Sequence, residues 1–183
     1  MTNQLTDSVE HLLQEWRRER PELDPAPIGV QGRLVRLSAH LLRAAEDYLN
    51  PLDLGWEAFS LIVTLRRSGK PYEMRPTDIL RESLLTSGAV TNRIDRVERL
   101  GLVERRPDTE DRRSYVIKLT PAGKKLADKA IATHIDAVEG LLDVLSAKEQ
   151  TQLAGLLSKL LGAFEDKAKP KARGRSRAVA QDS

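Results

Sequence analysis

The residues that most constrain the fold lie between Pro76 and Leu119, where two short helical segments precede two short β-like runs. Pro76 suits a first helical position. Residues 87–100 carry apolar side chains at helical spacing and end before Gly101, which suits a helix C-cap. Two short helices joined by a tight turn, the second with a polar outer face, form the arrangement of a helix-turn-helix.

A β-hairpin is predicted directly after the second helix. The runs 102–106 and 114–119 are β-like, and the loop 107–113 between them is polar and rich in turn formers. A hairpin at this place is the wing of a winged helix. The predicted fold is therefore mainly α with a small β-hairpin wing, a winged helix-turn-helix domain combined with a helical dimerisation region.

Further helices are predicted wherever apolar residues recur at spacings of three and four. These predicted helices cover residues 6–20, 29–49, a segment from an N-cap at Asp53 to about residue 67, residues 120–145, and residues 146–165 behind a capping box of Ser146 and Glu149. Pro25 and Pro27 are expected to keep the segment before residue 29 extended.

Changes in these patterns divide the chain into five parts. We expect an extra N-terminal helix with its linker (1–28), a dimerisation helix (29–53), the winged helix-turn-helix domain (54–119), C-terminal dimerisation helices (120–166) and a disordered basic tail (167–183). The long helices carry more apolar surface than a small winged-helix unit can cover. Apolar patches of that size usually mark an interface, so a homodimer is expected.

The charge of the chain is concentrated in the tail. Of its 30 basic and 27 acidic residues, positions 167–183 hold six basic and one acidic, which leaves 24 basic and 26 acidic in residues 1–166. The net charge of +3 therefore does not by itself indicate DNA binding. There is no cysteine, which excludes a disulfide scaffold, a thiolate zinc site and a cysteine nucleophile.

Enzymatic and membrane functions find little support in the sequence. His11, His40 and His134 are far apart and have no partner at catalytic or metal-binding spacing, so solvated or interface histidines are expected. No glycine-rich phosphate loop is present. Without a run of about 20 apolar residues or a signal-like N-terminus, the chain is expected to be cytoplasmic, with no catalytic residue, metal or cofactor.

The order of elements resembles the MarR family of bacterial winged-helix transcription regulators over residues 30–165. The most specific match covers residues 100–108, 111–114 and 119–123. Within it, Asp111, Arg113, Leu119 and Thr120 fit the wing pattern of the family. The resemblance implies a nucleoid-associated regulator, usually a repressor, that binds a palindromic operator in double-stranded DNA as a homodimer.

Six side chains are candidate DNA contacts. They are Ser87, Thr91, Asn92 and Arg96 on the second helix, and Arg112 and Arg113 in the wing loop. The polar side chains on the helix have the reach to bind base edges or phosphates in the major groove. Arg113 matches the wing arginine of the family, which enters the minor groove. Alternatively, Asp111 and Arg113 pair with each other and stiffen the hairpin.

A narrower resemblance concerns the added N-terminal helix, which is similar to that of the urate-responsive branch of the family. In that branch a tryptophan, an aspartate and two arginines hold an anionic ligand, and the matching positions here are Trp16, Ser60, Arg93 and Arg105. Serine replaces the aspartate, and a hydroxyl accepts hydrogen bonds from ligand N–H groups more weakly. Other interpretations are a core anchor for Trp16 and a phosphate contact for Arg93.

Two functions stay open at this point. The first is a regulator that a small anionic effector, such as urate, salicylate or a related aromatic or carboxylate compound, releases from DNA. The second is a non-specific architectural DNA-binding protein without an effector, for which the basic tail would supply grip on the phosphates.

Overall fold

The computed structural model describes residues 7–83, 86–111 and 114–168. The helices are α1 (Ser8–Glu19), α2 (Ala26–Leu49), α3 (Trp56–Arg67), α4 (Pro76–Glu82), α5 (Ser87–Arg99), α6 (Pro121–Leu142) and α7 (Ala147–Ala168), with one 3-10 turn at Asn50–Leu52. The strands are β1 (Glu73–Met74), β2 (Val103–Pro107) and β3 (Tyr115–Leu119). The chain forms two compact units, one ending at Ala137 and one beginning at Val138.

The predicted wing is confirmed as an antiparallel hairpin. Strands β2 and β3 pair from Val103 opposite Leu119 to Pro107 opposite Tyr115. On the other side of β3, the two-residue strand β1 pairs Glu73 with Lys118 and completes a three-stranded sheet of order β1-β3-β2. The mainly helical winged fold is thus confirmed, whereas the sequence did not reveal β1.

The core of the first unit packs helix α5 and strand β3 against helices α2 and α3. Its most deeply buried large side chains come from α2, α3, α5 and β3: Leu49, Ile62, Leu65, Ile94 and Ile117. Helix α6 approaches the start of β2 so closely that a Cβ on Gly123 would overlap the carbonyl oxygen of Leu102. This contact places α6 directly behind the wing.

Two predicted helix starts are wrong. Helix α2 begins at Ala26 rather than residue 29, with Pro27 in its first turn and the Ala26 N–H donated to Asp24 Oδ1 at 3.0 Å. A proline costs nothing there because first-turn N–H groups have no intrahelical partner. Asp53 is not an N-cap: it has φ 50° and ends the 3-10 turn, and Gly55 precedes α3.

Other helix ends follow the predicted signals. Gly101 has φ 70° after α5, the left-handed conformation that glycine adopts without penalty. The capping box before α7 is present, since the Ser146 N–H donates to Glu149 Oε2 at 2.8 Å and the Glu149 N–H donates to Ser146 Oγ at 3.4 Å. Helix α7 continues to Ala168, and the predicted tail beyond it lies outside the described residues.

Of the two roles expected for the histidines, solvated or interface, the first does not apply to His134. His134 is half-buried against the aromatic rings of Tyr48, Trp56 and Phe59, and the Tyr48 hydroxyl lies 2.6 Å from His134 Nδ1. Burial lowers the pKa of the His134 imidazole and raises that of the Tyr48 phenol. His134 is therefore a packing residue between α2, α3 and α6.

Within the described ranges, no helix is long and apolar enough to cross a membrane. The same residues contain no group of three or more histidine and carboxylate side chains that could hold a metal ion.

Candidate DNA-binding surface and ligand cavity

Helix α5 presents a polar face because its apolar face is occupied. Val90, Ile94 and Val97 are buried in the core. The Thr86 hydroxyl caps the helix by accepting from the Ala89 N–H at 3.3 Å. The candidate DNA contacts Ser87, Thr91, Asn92 and Arg96 are all exposed. An exposed row of hydroxyl, amide and guanidinium groups on one helix is suited to reading a major groove.

The wing is tied to the start of α4 by Arg75. Its Nε donates to Asp108 Oδ2 at 2.5 Å and its Nη2 donates to Glu110 Oε2 at 2.7 Å. Asp108 is buried, and its Oδ1 accepts from the Glu110 N–H at 2.8 Å. The hydrogen bond from Arg75 and the backbone donors lower the pKa of the Asp108 carboxyl to about 2. The base of the wing is thereby fixed beside the helix-turn-helix.

The wing tip itself is not described. Arg112 and Arg113, the two predicted wing contacts, lie outside the described residues. The residues before and after them are joined by two backbone hydrogen bonds. The Ser114 N–H donates to the Asp111 carbonyl at 2.8 Å, and the Asp108 N–H donates to the Ser114 carbonyl at 3.1 Å. The described residues on the two sides of these arginines are therefore hydrogen-bonded to each other.

Arg105 joins the wing to α5, the helix that carries four of the candidate DNA contacts and is called the recognition helix from here on. Its guanidinium donates to the carboxylates of Asp95 and Glu98, and its backbone N–H donates to Glu98 Oε1 at 3.0 Å. The guanidinium carbon also lies 5.6 Å from the ring centre of Tyr115. Sequence reasoning overlooked both carboxylates, although their i, i+3 spacing on α5 places them on one side of the helix.

A cavity of about 340 Å³ lies between α3, α4 and α5, behind the recognition helix. Its lining includes Trp56, Ser60, Thr64, Glu82, Ser83 and Arg93. Two of the four predicted ligand residues, Ser60 and Arg93, therefore meet in one cavity. Trp56 supplies an aromatic wall. The sequence analysis gave Trp56 no role in ligand binding.

The other two predicted ligand residues are not among the residues that line this cavity. Trp16 lies on α1 with 45% of its surface exposed. Arg105 holds two carboxylates of α5. Their roles in ligand binding stay predictions.

Arg93 is the cation of the cavity. Its side chain is only 14% exposed, and its Nε is buried without a hydrogen-bond partner among the described residues. Its Nη2 lies 3.8 Å from Glu57 Oε1, which is an ion pair beyond hydrogen-bond distance. A largely buried guanidinium whose Nε has no hydrogen-bond partner favours an anion, since charged hydrogen bonds are strong where water is excluded.

Comparison with known proteins identifies the family. The model of the MarR family matches residues 54–115. Across 152 residues the chain is 35% identical to the HTH-type transcriptional regulator PecS of Dickeya dadantii, covering 83% of this chain and 92% of that protein. This chain belongs to the MarR family.

Other MarR-family proteins agree with this assignment. The multiple antibiotic resistance protein MarR of Salmonella typhimurium is 30% identical over 65% of this chain and 81% of its own length. The crystal structure of a mutant MarR from Escherichia coli complexed with operator DNA superposes with a TM-score of 0.66 at 26% identity, covering 80% of this chain and 97% of that one.

Membership of the MarR family establishes the general activity. MarR-family proteins are DNA-binding transcriptional regulators that act as dimers, and some respond to ligands. The expectation that the chain is not an enzyme is confirmed, because its relatives and its fold are those of regulators.

Proposed function

We propose that this MarR-family protein is a repressor that binds a palindromic operator as a homodimer and releases it on binding a small anionic ligand. The observation that carries this proposal is the position of Arg93. It belongs to the helix that offers Thr91 and Asn92 to DNA, yet its own guanidinium faces a cavity with donors unused. A ligand held by Arg93 therefore acts directly on the recognition helix.

Operator binding is supported by the polar face of α5 and by the anchored wing beside it. We assign base and phosphate contacts to Ser87, Thr91, Asn92 and Arg96, and a minor-groove contact to Arg113 with Arg112 as its neighbour. The mutant MarR from Escherichia coli was crystallised with operator DNA, and we extend that mode of binding to this chain.

Dimerisation is supported by apolar side chains that the described chain leaves exposed. On α2 they are Val35, Leu37, Leu41 and Leu42, and on α7 they are Leu153, Leu156, Leu157, Leu160, Leu161 and Phe164. Such surface is unfavourable in water at about 25 cal/mol per Å². A second copy of the chain, related by a two-fold axis, would bury it and present two recognition helices to a palindrome.

The ligand class follows from the lining of the cavity. Arg93 favours a carboxylate or another anion, Trp56 offers a face for an aromatic ring, and Ser60 offers a hydroxyl where the urate branch has a carboxylate. We therefore favour an aromatic acid, with salicylate and urate as first probes. BpsR of Bordetella bronchiseptica, which shares this fold, is regulated in its DNA binding by 6-hydroxynicotinic acid, also an aromatic acid.

Operator binding is tested by selecting duplexes from a random-sequence pool with the wild-type protein and footprinting the selected duplexes. We expect one palindrome protected on successive major grooves. Arg113→Ala should weaken its binding about tenfold, and Arg112→Ala should weaken it less. Uniform coating of unrelated DNA would instead support the architectural alternative and contradict a specific repressor.

Ligand response is tested by titrating salicylate and urate into the protein–operator complex. We expect release from wild type and a roughly tenfold or greater loss of ligand affinity in Arg93→Ala, because a charged hydrogen-bond donor is removed. Arg99→Ala is the matched control, since Arg99 is exposed on the same helix. Equal responses of both variants would contradict the assignment of Arg93 to the ligand.

A further inference from the structure

We propose that Glu57 couples the ligand cavity to the DNA-binding surface, by bridging Arg93 in the cavity lining and Arg96 on the outer face of α5. This inference rests on the proposed function and adds a residue to the site. Glu57 Oε1 lies 3.8 Å from Arg93 Nη2, and Glu57 Oε2 lies 3.6 Å from Arg96 Nη1. One carboxylate thus pairs with two arginines of the recognition helix.

Glu57 places a carboxylate near Arg93, although position 60 is a serine. Glu57 lies in the first turn of α3, one turn before Ser60, and residues three apart lie on the same side of a helix. A carboxylate in a first turn is favoured by the helix dipole. Glu57 does not line the cavity, but from one turn earlier its longer side chain brings a carboxylate to within 3.8 Å of Arg93.

The two arginines differ in what surrounds them. Arg93 is 14% exposed and contributes to the cavity lining, whereas Arg96 is 65% exposed on the face offered to DNA. Among the described residues, Glu57 is the ion-pair partner of both. Its own side chain is 56% exposed.

In this arrangement, Glu57, the ligand carboxylate and a DNA phosphate compete for the two arginines. When a ligand carboxylate binds Arg93, Glu57 loses one partner and pairs with Arg96 alone, so Arg96 is less available to a DNA phosphate. When a phosphate takes Arg96, Glu57 instead neutralises Arg93 and competes with the ligand. Each ligand therefore weakens the other, as linkage between two sites requires. The exchange needs a charged ligand, because a neutral isostere does not displace a carboxylate.

The first experiment measures DNA binding without ligand. On the selected operator, Glu57→Gln should bind about threefold more tightly than wild type, and the dependence of log affinity on log salt should steepen by about 0.9, since one more cation reaches phosphate. The gain should vanish in the double variant with Arg96→Gln. Asp128→Asn is the matched control, because it removes an ion pair between α3 and α6 that involves neither Arg93 nor Arg96. Wild-type affinity and salt slope in Glu57→Gln would overturn the bridge.

The second experiment measures ligand binding by calorimetry with salicylate and with its neutral analogue salicylamide. Glu57→Gln should bind salicylate about threefold more tightly and should lose most of the effect of salicylate on operator affinity. Salicylamide should release operator from neither protein. A responsive wild type with an equally responsive Glu57→Gln would overturn the exchange alone. If neither salicylate nor urate changes the operator affinity of the wild-type protein, both the proposed function and the exchange are contradicted.

Discussion

At the scale of single residues, the DNA-binding surface is organised by arginines whose partners lie on neighbouring elements. Arg75 joins α4 to the wing through Asp108, and Arg105 joins the wing to α5 through Asp95 and Glu98. Each pair fixes the angle between two elements that must meet one DNA duplex. The pairs of Arg105 are partly exposed and add little stability, so their main contribution is to geometry.

The buried carboxyl of Asp108 makes part of this geometry dependent on pH. Its folded-state pKa of about 2 lies below the ordinary value of 3.8, so its ionised form stabilises the folded state above pH about 4, and this contribution is lost as pH falls toward 2. Asp108→Asn removes the ionisable group. The difference in free energy of unfolding between wild type and this variant should therefore shrink between about pH 5 and about pH 3, as measured by urea denaturation.

A matched control for this prediction lies on the same hairpin. Glu104 is a partly exposed carboxylate paired with Arg106, and Glu104→Gln should stay close to wild type at both pH values. If the gap between wild type and Asp108→Asn is the same at both pH values, the Arg75–Asp108 pair does not hold the wing.

At the scale of elements, the order of helices and strands is predictable from local sequence signals. Periodicity, Pro76 at a helix start and Gly101 at a helix end mark the helix-turn-helix, and alternating residues mark the wing. The errors arise where tertiary contacts, rather than local sequence signals, determine the backbone conformation. Strand β1 has two residues and forms only because β3 offers its edge, and the side chain of Asp53 does not cap α3 because its backbone is left-handed.

The candidate site was only partly predictable for the same reason. Ser60 and Arg93 meet as the family resemblance implies. Trp56 and Glu57 were not recognised because a helical stripe does not specify which neighbour its side chains face. Arg105 matches a ligand position in the aligned sequence, but its carboxylate partners come from α5 and become visible only in three dimensions.

The approach of α6 to the wing depends on Gly123. Gly123→Ala should destabilise the fold by about 2–3 kcal/mol, because the new methyl group meets backbone that cannot rotate away. Gly140 is an exposed glycine of the same helix whose Cβ would meet nothing within 4 Å. Gly140→Ala should instead stabilise by about 0.5–1 kcal/mol through helix propensity. Thermal unfolding of both variants checks this, and equal shifts would contradict the close approach.

At the scale of the whole molecule, the repression that we propose depends on two copies acting on one palindrome. A single recognition helix contacts too few bases for high affinity, whereas two helices on one rigid dimer bind their half-sites together. The exposed apolar stripe of α7 is our candidate for part of the contact between the copies.

Disrupting this stripe should separate the copies. Leu157→Lys with Leu161→Lys places two charges in an apolar contact and should raise the dimer dissociation constant by about a hundredfold or more. Gln152→Lys, an exposed polar position of the same helix, is the control. Analytical ultracentrifugation reads the mass directly. If the double variant remains dimeric at the concentrations at which the wild-type protein is dimeric, α7 is not part of the interface.

The most direct test of the account is the affinity of salicylate for the free protein and for the protein saturated with operator duplex, measured by calorimetry. If ligand and DNA compete through the recognition helix, salicylate should bind the operator complex more weakly. The factor should equal the one by which saturating salicylate weakens operator binding. Equal affinity of salicylate for the free and the operator-bound protein would contradict the account.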